Sequence, residues 1–403
     1  MHLGSTNRRA SIALFVIAGV AAGAISWAAG QSQNFDVFSA AAHALLDGND
    51  LYAKNAADYF KYSPTFALLF VPFTWGPAWL LAPLWSALNF GVAAWGIDRL
   101  LDGDARRKRI AMVVALAGIV VATDGDQSNL LVTGAVLLAF VAYEKGHLGI
   151  AAHLVAAAAL VKVFPIAIGV LALFLPRVRR SRALVALGSA LFTWVAIPLL
   201  LLSPGELGAQ YASWHALLGR DHGNHGWSVM SFLQDGFGLS WATASIQMLA
   251  IGVQAFPIVM GVRLGTDRAW RQTLVCSLLC FSVLFNHRAE YATFAISAVA
   301  VGIWYASAPA PKNHVRLLLV VLAILAPGPF FTHANPGATG IVSFLGAHRL
   351  FHPLRVLPPF VVWAMMQREL LARFFEVQVR VRRPAPLAVS FEALSGGRES
   401  HAP

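Results

Sequence analysis

Long apolar stretches separated by short polar turns recur along almost the whole chain. Twelve of them are candidate membrane spans: residues 10–30, 78–100, 110–123, 128–143, 147–160, 164–176, 183–202, 241–263, 272–286, 291–308, 315–331 and 356–374. A further apolar piece, residues 64–76, lies between Pro64 and Pro77 and is not expected to cross fully. A crossing needs about 20 residues, so several short spans must be tilted, broken or sheltered by neighbours. The pattern predicts an all-α, polytopic integral membrane protein with about 12 transmembrane helices in one bundle.

The segment that follows the first apolar run is amphipathic. It places Phe35, Phe38, Ala42, Leu45 and Leu46 on one helical face. This periodicity predicts an interfacial helix over residues 35–46, in the first external loop. The run before it, residues 11–29, has no convincing cleavage motif, so we expect a retained span rather than a signal peptide.

Composition and charge support the membrane assignment. Of the 403 residues, 58% are hydrophobic and only 12% are charged, which excludes a soluble domain of this size. The net charge of +11 comes from short basic clusters between the apolar runs, which is typical of residues that orient spans and not of nucleic-acid binding. With a cytoplasmic N-terminus, 23 of the 30 Lys and Arg residues fall on the cytoplasmic side, and Lys162 falls at membrane depth. This bias predicts cytoplasmic termini and external polar segments.

Domain organisation follows from the same pattern. We expect residues 1–375 to form a single transmembrane domain. Residues 376–403 are predicted to be a basic cytoplasmic tail, disordered from Arg380 onward.

Cysteine and histidine give no metal or redox signature. Cys276 and Cys280 lie four residues apart within one apolar run, where they are expected to be small packing residues. His215, His222 and His225 match no standard zinc spacing, and the Gly-rich loop 203–240 that carries them is predicted to be mobile. We therefore predict no metal site.

Asp36 lies in the first turn of the amphipathic segment. A carboxylate there favours the positive end of a helix and could be a simple capping group. Alternatively, it could act as a general base at the membrane surface. Asp47 and Asp50 stand beside Gly48 and Asn49, where a role in a turn is favoured over catalysis.

Lys162 is the one Lys or Arg that the predicted topology places at membrane depth. A charge there is costly and marks a functional site or a paired charge. Pro165, three residues later, is expected to break the helix. Two half-helices meeting at a cation predict a pocket for an anionic headgroup such as a lipid phosphate, with snorkelling to the interface as the alternative.

Other candidates lie in the predicted external segments. Gln127 and Asn129 offer amide groups suited to sugar hydroxyls or a phosphate, although they could simply belong to a solvated turn. Tyr62 and Trp214, with the neighbouring His215, could contact a sugar or belong to an aromatic belt.

The sequence "FNHRAEY", residues 285–291, places His287, Arg288 and Glu290 at the outer end of a span. Glu290 and Arg288 could merely neutralise each other. At the outer end of a span, a cation would also suit a leaving phosphate, and an acid would suit an acceptor hydroxyl.

Taken in order, "FDVFSAAAHALLDGNDLY", "YSPTFALLFVPF", "DQSNLLVTGAVLL" and "AAHLVAAAALVKVFPIAI" closely resemble glycosyltransferase family 87 of the GT-C superfamily. The resemblance covers roughly residues 10–310, and the order and spacing of the motifs make it fairly specific. It implies a GT-C-like bundle, an external active site, a polyprenyl-phosphate sugar donor and inversion at the anomeric carbon. It also implies that the acid of the first external loop, Asp36, is the catalytic base.

The family motifs map onto this chain with two departures. Residues 126–129, Asp-Gln-Ser-Asn, correspond to Gly-Gln-x-Asn with Asp126 in place of Gly, and residues 162–165 correspond to Lys-x-x-Pro. "FNHRAEY" departs from the histidine-bearing motif expected in the mannosyltransferases. The departures affect the sugar and the acceptor more than the reaction class.

Together with the residues above, this resemblance implies an inverting, metal-independent glycosyltransferase of the bacterial inner membrane, with its active site facing the periplasm. It would move a hexose or pentose, most simply a mannose-like sugar, from polyprenyl phosphate to an envelope lipid or glycan. Lys162, His287 and Arg288 would bind the donor phosphate, without a cofactor. Membrane lipids are expected partners and nucleic acid is not. A transporter or flippase for lipid-linked sugars fits the same layout, although no inverted repeat is evident. A non-catalytic subunit of an envelope assembly is the third reading.

Overall fold

The computed structural model describes residues 3–54, 58–122, 126–174, 179–220, 226–239, 243–261, 267–307, 314–325 and 351–382. These residues are mostly helical and form no strand. Their α-helices are α1 (Leu3–Ala28), α2 (Gln33–Leu46), α3 (Pro64–Phe70), α4 (Ala78–Leu100), α5 (Ala105–Ala122), α6 (Asn129–Glu144), α7 (Leu148–Val161), α8 (Arg180–Ala196), α9 (Pro204–Arg220), α10 (Val229–Phe237), α11 (Thr243–Gly261), α12 (Arg268–Leu284), α13 (Phe294–Ser307), α14 (His314–Leu325) and α15 (Phe351–Arg382). Short 3-10 helices occupy Val71–Thr74, Phe164–Phe174, Ile197–Leu200 and Tyr291–Thr293.

Within the described residues, each predicted span overlaps a helix, and residues 164–174 form a 3-10 helix rather than an α-helix. In the part of the chain that the structure describes, four helical stretches are long and apolar enough to cross a membrane: Ala10–Ala28, Ala78–Leu100, Arg180–Leu200 and Thr243–Gly261. Shorter apolar helices include α6 and α7. An all-helical membrane protein is thus supported, whereas the number of about 12 crossings stays a prediction.

The main core lies between α4, α5, α6, α12, α13 and α15. Helix α4 packs between α1 and α6, and α6 continues the row to α7 and α8. Gly134 permits the close approach of α6 to α4, because a Cβ there would lie 2.5 Å from the carbonyl of Val92. Small residues therefore decide how closely these helices pack.

A second, aromatic core joins α2 and α3 to α4. The ring of Phe38 meets those of Tyr62, Phe66 and Phe70 edge to face, at 5.0, 4.9 and 5.3 Å between centroids. The helix predicted over residues 35–46 is present, and Phe35, Phe38, Ala42 and Leu45 of its apolar face are buried against the protein. Only Leu46 of that predicted face is exposed. Its apolar face thus serves packing within the chain, and its placement in the membrane interface stays a prediction.

The prediction of a mobile loop over residues 203–240 was wrong for the described part of that segment. It forms α9 and α10, and α9 buries Leu207 and Gln210 against the aromatic core. Glycines at positions 205, 208 and 219 suggested a loop from the sequence. Tertiary packing of one amphipathic face outweighs their low helix propensity.

The start of the predicted disordered tail also differs from expectation. Helix α15 continues through Arg382, past the point where the tail was expected to begin. Residues 383–403 lie outside the described part of the chain.

Polar side chains gather at the two ends of the helices. Near its N-terminus, α4 contacts Asp126 through Trp85 and Ser86. Near its C-terminus, Asp98 pairs with Lys108. We call the first region, which includes Ser32, Tyr62, Asp126, Lys162 and Glu290, the site end. We call the second, which includes Asp98, Glu144, Asp267 and Glu369, the paired end.

Candidate functional site

A cavity of about 510 Å³ opens at the site end. Its polar and aromatic lining consists of Lys61, Tyr62, Lys162, Phe164, Trp214, Phe281, Ser282, Phe285, Asn286, His287, Arg288, Glu290 and Thr293. Val161, Val163 and Leu218 complete the lining. The cavity therefore brings together cations, a carboxylate and aromatic rings from distant parts of the sequence.

Lys162 stands where α7 ends. Helix α7 stops at Val161, Lys162 adopts an extended conformation with φ −141° and ψ 130°, and a 3-10 helix containing Pro165 follows. The predicted break at Pro165 is thus confirmed. Lys162 lines the cavity, and its ammonium group interacts electrostatically with Glu290. No ion pair of Lys162 occurs within the described residues.

The segment between α12 and the 3-10 helix Tyr291–Thr293 supplies the opposite wall. Its backbone is fixed by local bonds: the amide of Arg288 donates to Asn286 Oδ1 at 2.9 Å, and that of Glu290 donates to Thr293 Oγ1 at 3.1 Å. The amide of Trp227 also donates to the carbonyl of Ala289 at 2.6 Å. This segment places the predicted trio of His287, Arg288 and Glu290 on the cavity that Lys162 also lines.

Gln127 and Asn129 support the site rather than line the cavity. The side-chain amide of Gln127 donates to the carboxylate of Glu290. Asn129 donates to Gln127 Oε1 at 2.7 Å and to the carbonyl of Ala292 at 3.0 Å. The turn before α6 therefore fixes the position of Glu290, 163 residues away in sequence.

Tyr62 forms the wall nearest α2. The next residue, Ser63, caps α3 and donates its hydroxyl to the carbonyl of Leu160 at 2.5 Å, which holds Tyr62 beside the end of α7. Burial raises the pKa of Tyr62 above its usual range, and the nearby charge of Glu290 adds to this effect. The phenol is therefore a neutral hydrogen-bonding group.

Helix α9 covers one side of the cavity. Trp214 Nε1 donates to the carbonyl of Lys61 at 3.1 Å. One turn earlier, Gln210 accepts from the amide of Leu51 at 3.1 Å and donates to the carbonyl of Asn49 at 2.9 Å. These bonds dock α9 on the segment that carries Tyr62. His215 is exposed and does not line the cavity.

Asp36 lies at the site end but does not line the cavity. It is exposed on the first turn of α2, and Phe38, two residues later, contacts the ring of Tyr62. Partial desolvation raises the pKa of Asp36 above its ordinary value. The structure thus brings Lys162, His287, Arg288, Glu290, Tyr62 and Trp214 into one cavity, and Asp36 is not part of its lining.

Two charged residues at the cavity were not predicted. Lys61 lines it, and Lys61 Nζ lies 3.0 Å from Asp58 Oδ2. Asp58 also interacts electrostatically with Arg288. The sequence feature that could have indicated them is the pair of charges among aromatic residues in "DYFKY", residues 58–62, which ends on Tyr62.

The described residues contain no group of three or more His, Cys, Asp or Glu side chains that could hold a metal ion. His222 and His225 lie outside the described residues. Cys276 and Cys280 are buried free thiols, as predicted. Asp50 has the turn role expected of it, because its Oδ1 accepts from the amide of Tyr52 at 3.1 Å.

Comparison with known proteins adds one match. A family model described as glycosyltransferase family 87 matches residues 60–286, more than half of the chain. The matched stretch contains Tyr62, Gln127, Asn129, Lys162 and Trp214. No curated protein matches the chain.

Proposed function

Because this chain belongs to glycosyltransferase family 87, we propose that it transfers a sugar from a polyprenyl-phosphate donor to an acceptor hydroxyl. The sugar is a hexose or pentose, mannose-like in the simplest case, and the acceptor is an envelope lipid or glycan on the external face of a bacterial inner membrane. The observation that carries the proposal is the cavity, where Lys162, His287 and Arg288 stand with Glu290.

The cations of the cavity suit the donor phosphate. Lys162 and Arg288 supply fixed positive charge, and His287 adds a ring nitrogen on the same wall. Val163 and Leu218 are 59% and 42% exposed beside this charge. They give an apolar exit along which the lipid chain of the donor would leave toward the bilayer.

The reaction itself is a displacement at the anomeric carbon. The acceptor oxygen forms a bond to that carbon while the bond from the carbon to the phosphate oxygen breaks. The electron pair leaves with the polyprenyl phosphate, whose added negative charge Lys162, His287 and Arg288 stabilise. The acceptor proton passes to a carboxylate. Attack opposite the leaving group inverts the anomeric centre.

Asp36 is the proposed base. The acceptor would lie on the α2 side of Tyr62, so that its hydroxyl meets Asp36 and the anomeric carbon together. The raised pKa of Asp36 makes it a stronger base than an ordinary aspartate. Because the base must be ionised, transfer should fall as the pH decreases through that raised pKa. Tyr62, Trp214 and Glu290 would contact the sugar or the acceptor in the cavity, and His215 would contact the acceptor outside it. Gln127 and Asn129 would act through Glu290.

A transporter or flippase for lipid-linked sugars is the second candidate. The observation that favours it is the broken helix at Lys162, since discontinuous helices form ion and substrate sites in transporters. In that case the donor would change leaflet without loss of its sugar.

The test uses the full chain in proteoliposomes with synthetic polyprenyl-phosphate sugars. Release of polyprenyl phosphate and formation of a glycosidic bond are measured for the wild type, Asp36→Asn and Asp47→Asn. Asp47 is a matched control, because it is an exposed aspartate at the other end of α2. We expect transfer by the wild type and Asp47→Asn, and a loss of at least about 100-fold in Asp36→Asn.

Two other outcomes would change the assigned activity or the assigned base. Movement of labelled donor without a new bond would replace the transferase by the flippase. Wild-type transfer by Asp36→Asn would remove Asp36 from the role of base and leave Glu290, the carboxylate that lines the cavity, in its place.

A further inference from the structure

Asp126 is a buried carboxyl group that the proposed reaction does not use. It is only 3% exposed and lies in the turn before α6. The hydroxyl of Ser86 donates to its Oδ1 at 2.5 Å, and Trp85 Nε1 donates to its backbone carbonyl at 2.8 Å. Two residues of α4 therefore fix both its main chain and its side chain.

The carboxyl group of Asp126 also interacts with the residue that precedes α2. The hydroxyl of Ser32 interacts with the carboxyl group of Asp126. Asp126 Oδ2 and Ser32 Oγ are both buried, and neither has a hydrogen-bond partner at normal bonding distance and angle among the described residues, so a proton on the carboxyl group could satisfy both. Ser32 directly precedes α2, and its carbonyl accepts from the amide of Asp36 at 3.1 Å. The contact thus runs from Asp126 through Ser32 to the first turn that carries Asp36.

The surroundings of Asp126 disfavour a negative charge. No cation pairs with it in the described part of the chain, and the charged group that faces it is Asp36. From α4, α6 and α13 its neighbours are uncharged: Trp85, Ser86, Asn89, Asn129 and Ala295. Burial raises the pKa of Asp126, the hydroxyls of Ser86 and Ser32 oppose this rise in part, and the negative charge of Asp36 adds a smaller rise. A buried carboxyl group without a cation partner favours its neutral form.

We propose that Asp126 keeps its proton and acts as a positioning residue, which holds the first turn of α2 through Ser32 and so orients Asp36. A neutral carboxyl can accept from Ser86 on Oδ1 and donate its proton from Oδ2 to Ser32. An ionised carboxylate would instead repel Asp36. This inference rests on the proposed role of Asp36 as the base.

The test compares Asp126→Asn, Asp126→Ala and Asp47→Asn in the full purified chain. Two readouts are used: the pH profile of polyprenyl phosphate release, and hydrogen–deuterium exchange of residues 33–46. The amide of Asp126→Asn resembles the neutral acid, so we expect the acid limb of the profile to stay in place and the exchange to stay slow. Asp126→Ala should lose about tenfold in kcat and exchange about tenfold faster over α2. Asp47→Asn should match the wild type in both.

Three results would overturn the inference. An acid limb that moves to lower pH in Asp126→Asn would mean that Asp126 carries a charge in the wild type. Unchanged exchange and kcat in Asp126→Ala would mean that it positions nothing. If Asp126→Ala fails to fold, Ser32→Ala removes the same link with a smaller change. Unchanged hydrogen–deuterium exchange of α2 in Ser32→Ala would then refute the positioning role of Asp126.

Failure of the proposed function is distinguishable from failure of this inference. If Asp36→Asn transfers normally, the role of Asp36 is lost, whereas the exchange of α2 still reports whether Asp126 holds that helix.

Discussion

Charged side chains form ion pairs at the paired end of the helices, whereas two of those described at the site end lack ion-pair partners. At the paired end, Lys108 Nζ lies 2.6 Å from Asp98 Oδ1, and Arg271 contacts both oxygens of Glu144 at 2.6 and 2.9 Å. At the site end, Asp126 is buried and Lys162 faces a cavity, neither with an ion-pair partner among the described residues. The same helices carry both ends, so the difference does not come from helix composition.

The contrast separates charges that stabilise the bundle from charges left available for a ligand. A buried pair is strongly destabilised when one partner is removed, because the other remains as an uncompensated charge. An unpaired cation in a cavity carries its desolvation cost in the free protein, and that cost is offset when an anion binds. We therefore expect substitutions at the paired end to change stability, and those at the site end to change the reaction.

The largest expected effect is that of Lys162→Met. Removal of the cation that faces the leaving phosphate should reduce kcat by about 100- to 1,000-fold. Thermal stability should be unchanged or higher, since no ion pair is broken. Polyprenyl phosphate release and the melting curve are measured on the same sample. Lys145→Met, an exposed lysine at the end of α6, is the control. Near-normal release of polyprenyl phosphate by Lys162→Met would contradict the expectation that charges at the site end act on the reaction.

Lys108→Met should act in the opposite way. It leaves the buried carboxylate of Asp98 without its closest cation, at a cost of about 3 kcal/mol in the free energy of unfolding. The rate per folded molecule should stay within about twofold of the wild type, because the pair lies at the far end of α4. Denaturant unfolding followed by a transfer assay on the folded fraction checks both parts. A folded, stable variant with lost activity would contradict the assignment of this pair to structure.

Glu290→Gln should have an intermediate effect of about tenfold in kcat/KM. The amide would still accept the bond from Gln127 but would hold a sugar or acceptor hydroxyl more weakly than a carboxylate does. Glu206→Gln, an exposed acid at the start of α9, provides the control. A loss as large as that expected for Asp36→Asn would instead identify Glu290 as the base.

Trp214→Phe is expected to give the smallest change. It keeps an aromatic ring on the cavity and removes the bond to the carbonyl of Lys61. The KM for the donor should rise by about fivefold, with kcat nearly constant. Initial rates over a range of donor concentrations measure this, with the exposed Trp79→Phe as the control. A change in kcat alone would show that Trp214 acts on the reaction step rather than on binding.

The helices were predictable from the sequence because their signals are local. Periodic apolar residues, prolines and basic clusters lie within one turn or one span of the features they determine. The break at Lys162 and Pro165 is such a case, since proline removes the helix bond in its own turn. The packing residues Cys276 and Cys280 followed in the same way from one apolar run.

The candidate residues of the site were named from the sequence, but their arrangement was not. Gln127 and Asn129 support Glu290 from a position 163 residues away, a relation that no local pattern contains. Lys61 and Asp58 were missed because two charges in a short loop usually indicate only solvent exposure.

The sequence by itself determined an all-helical chain, the position of its breaks and the residue types available for phosphate and sugar chemistry. Only the tertiary structure decided that α9 docks over the cavity, that Asp126 is buried, and that Asp36 does not line the cavity. The physical reason is the sequence separation over which the interactions act. Helix formation depends on neighbours a few residues apart, whereas burial and pairing of a side chain depend on which distant segments pack against it.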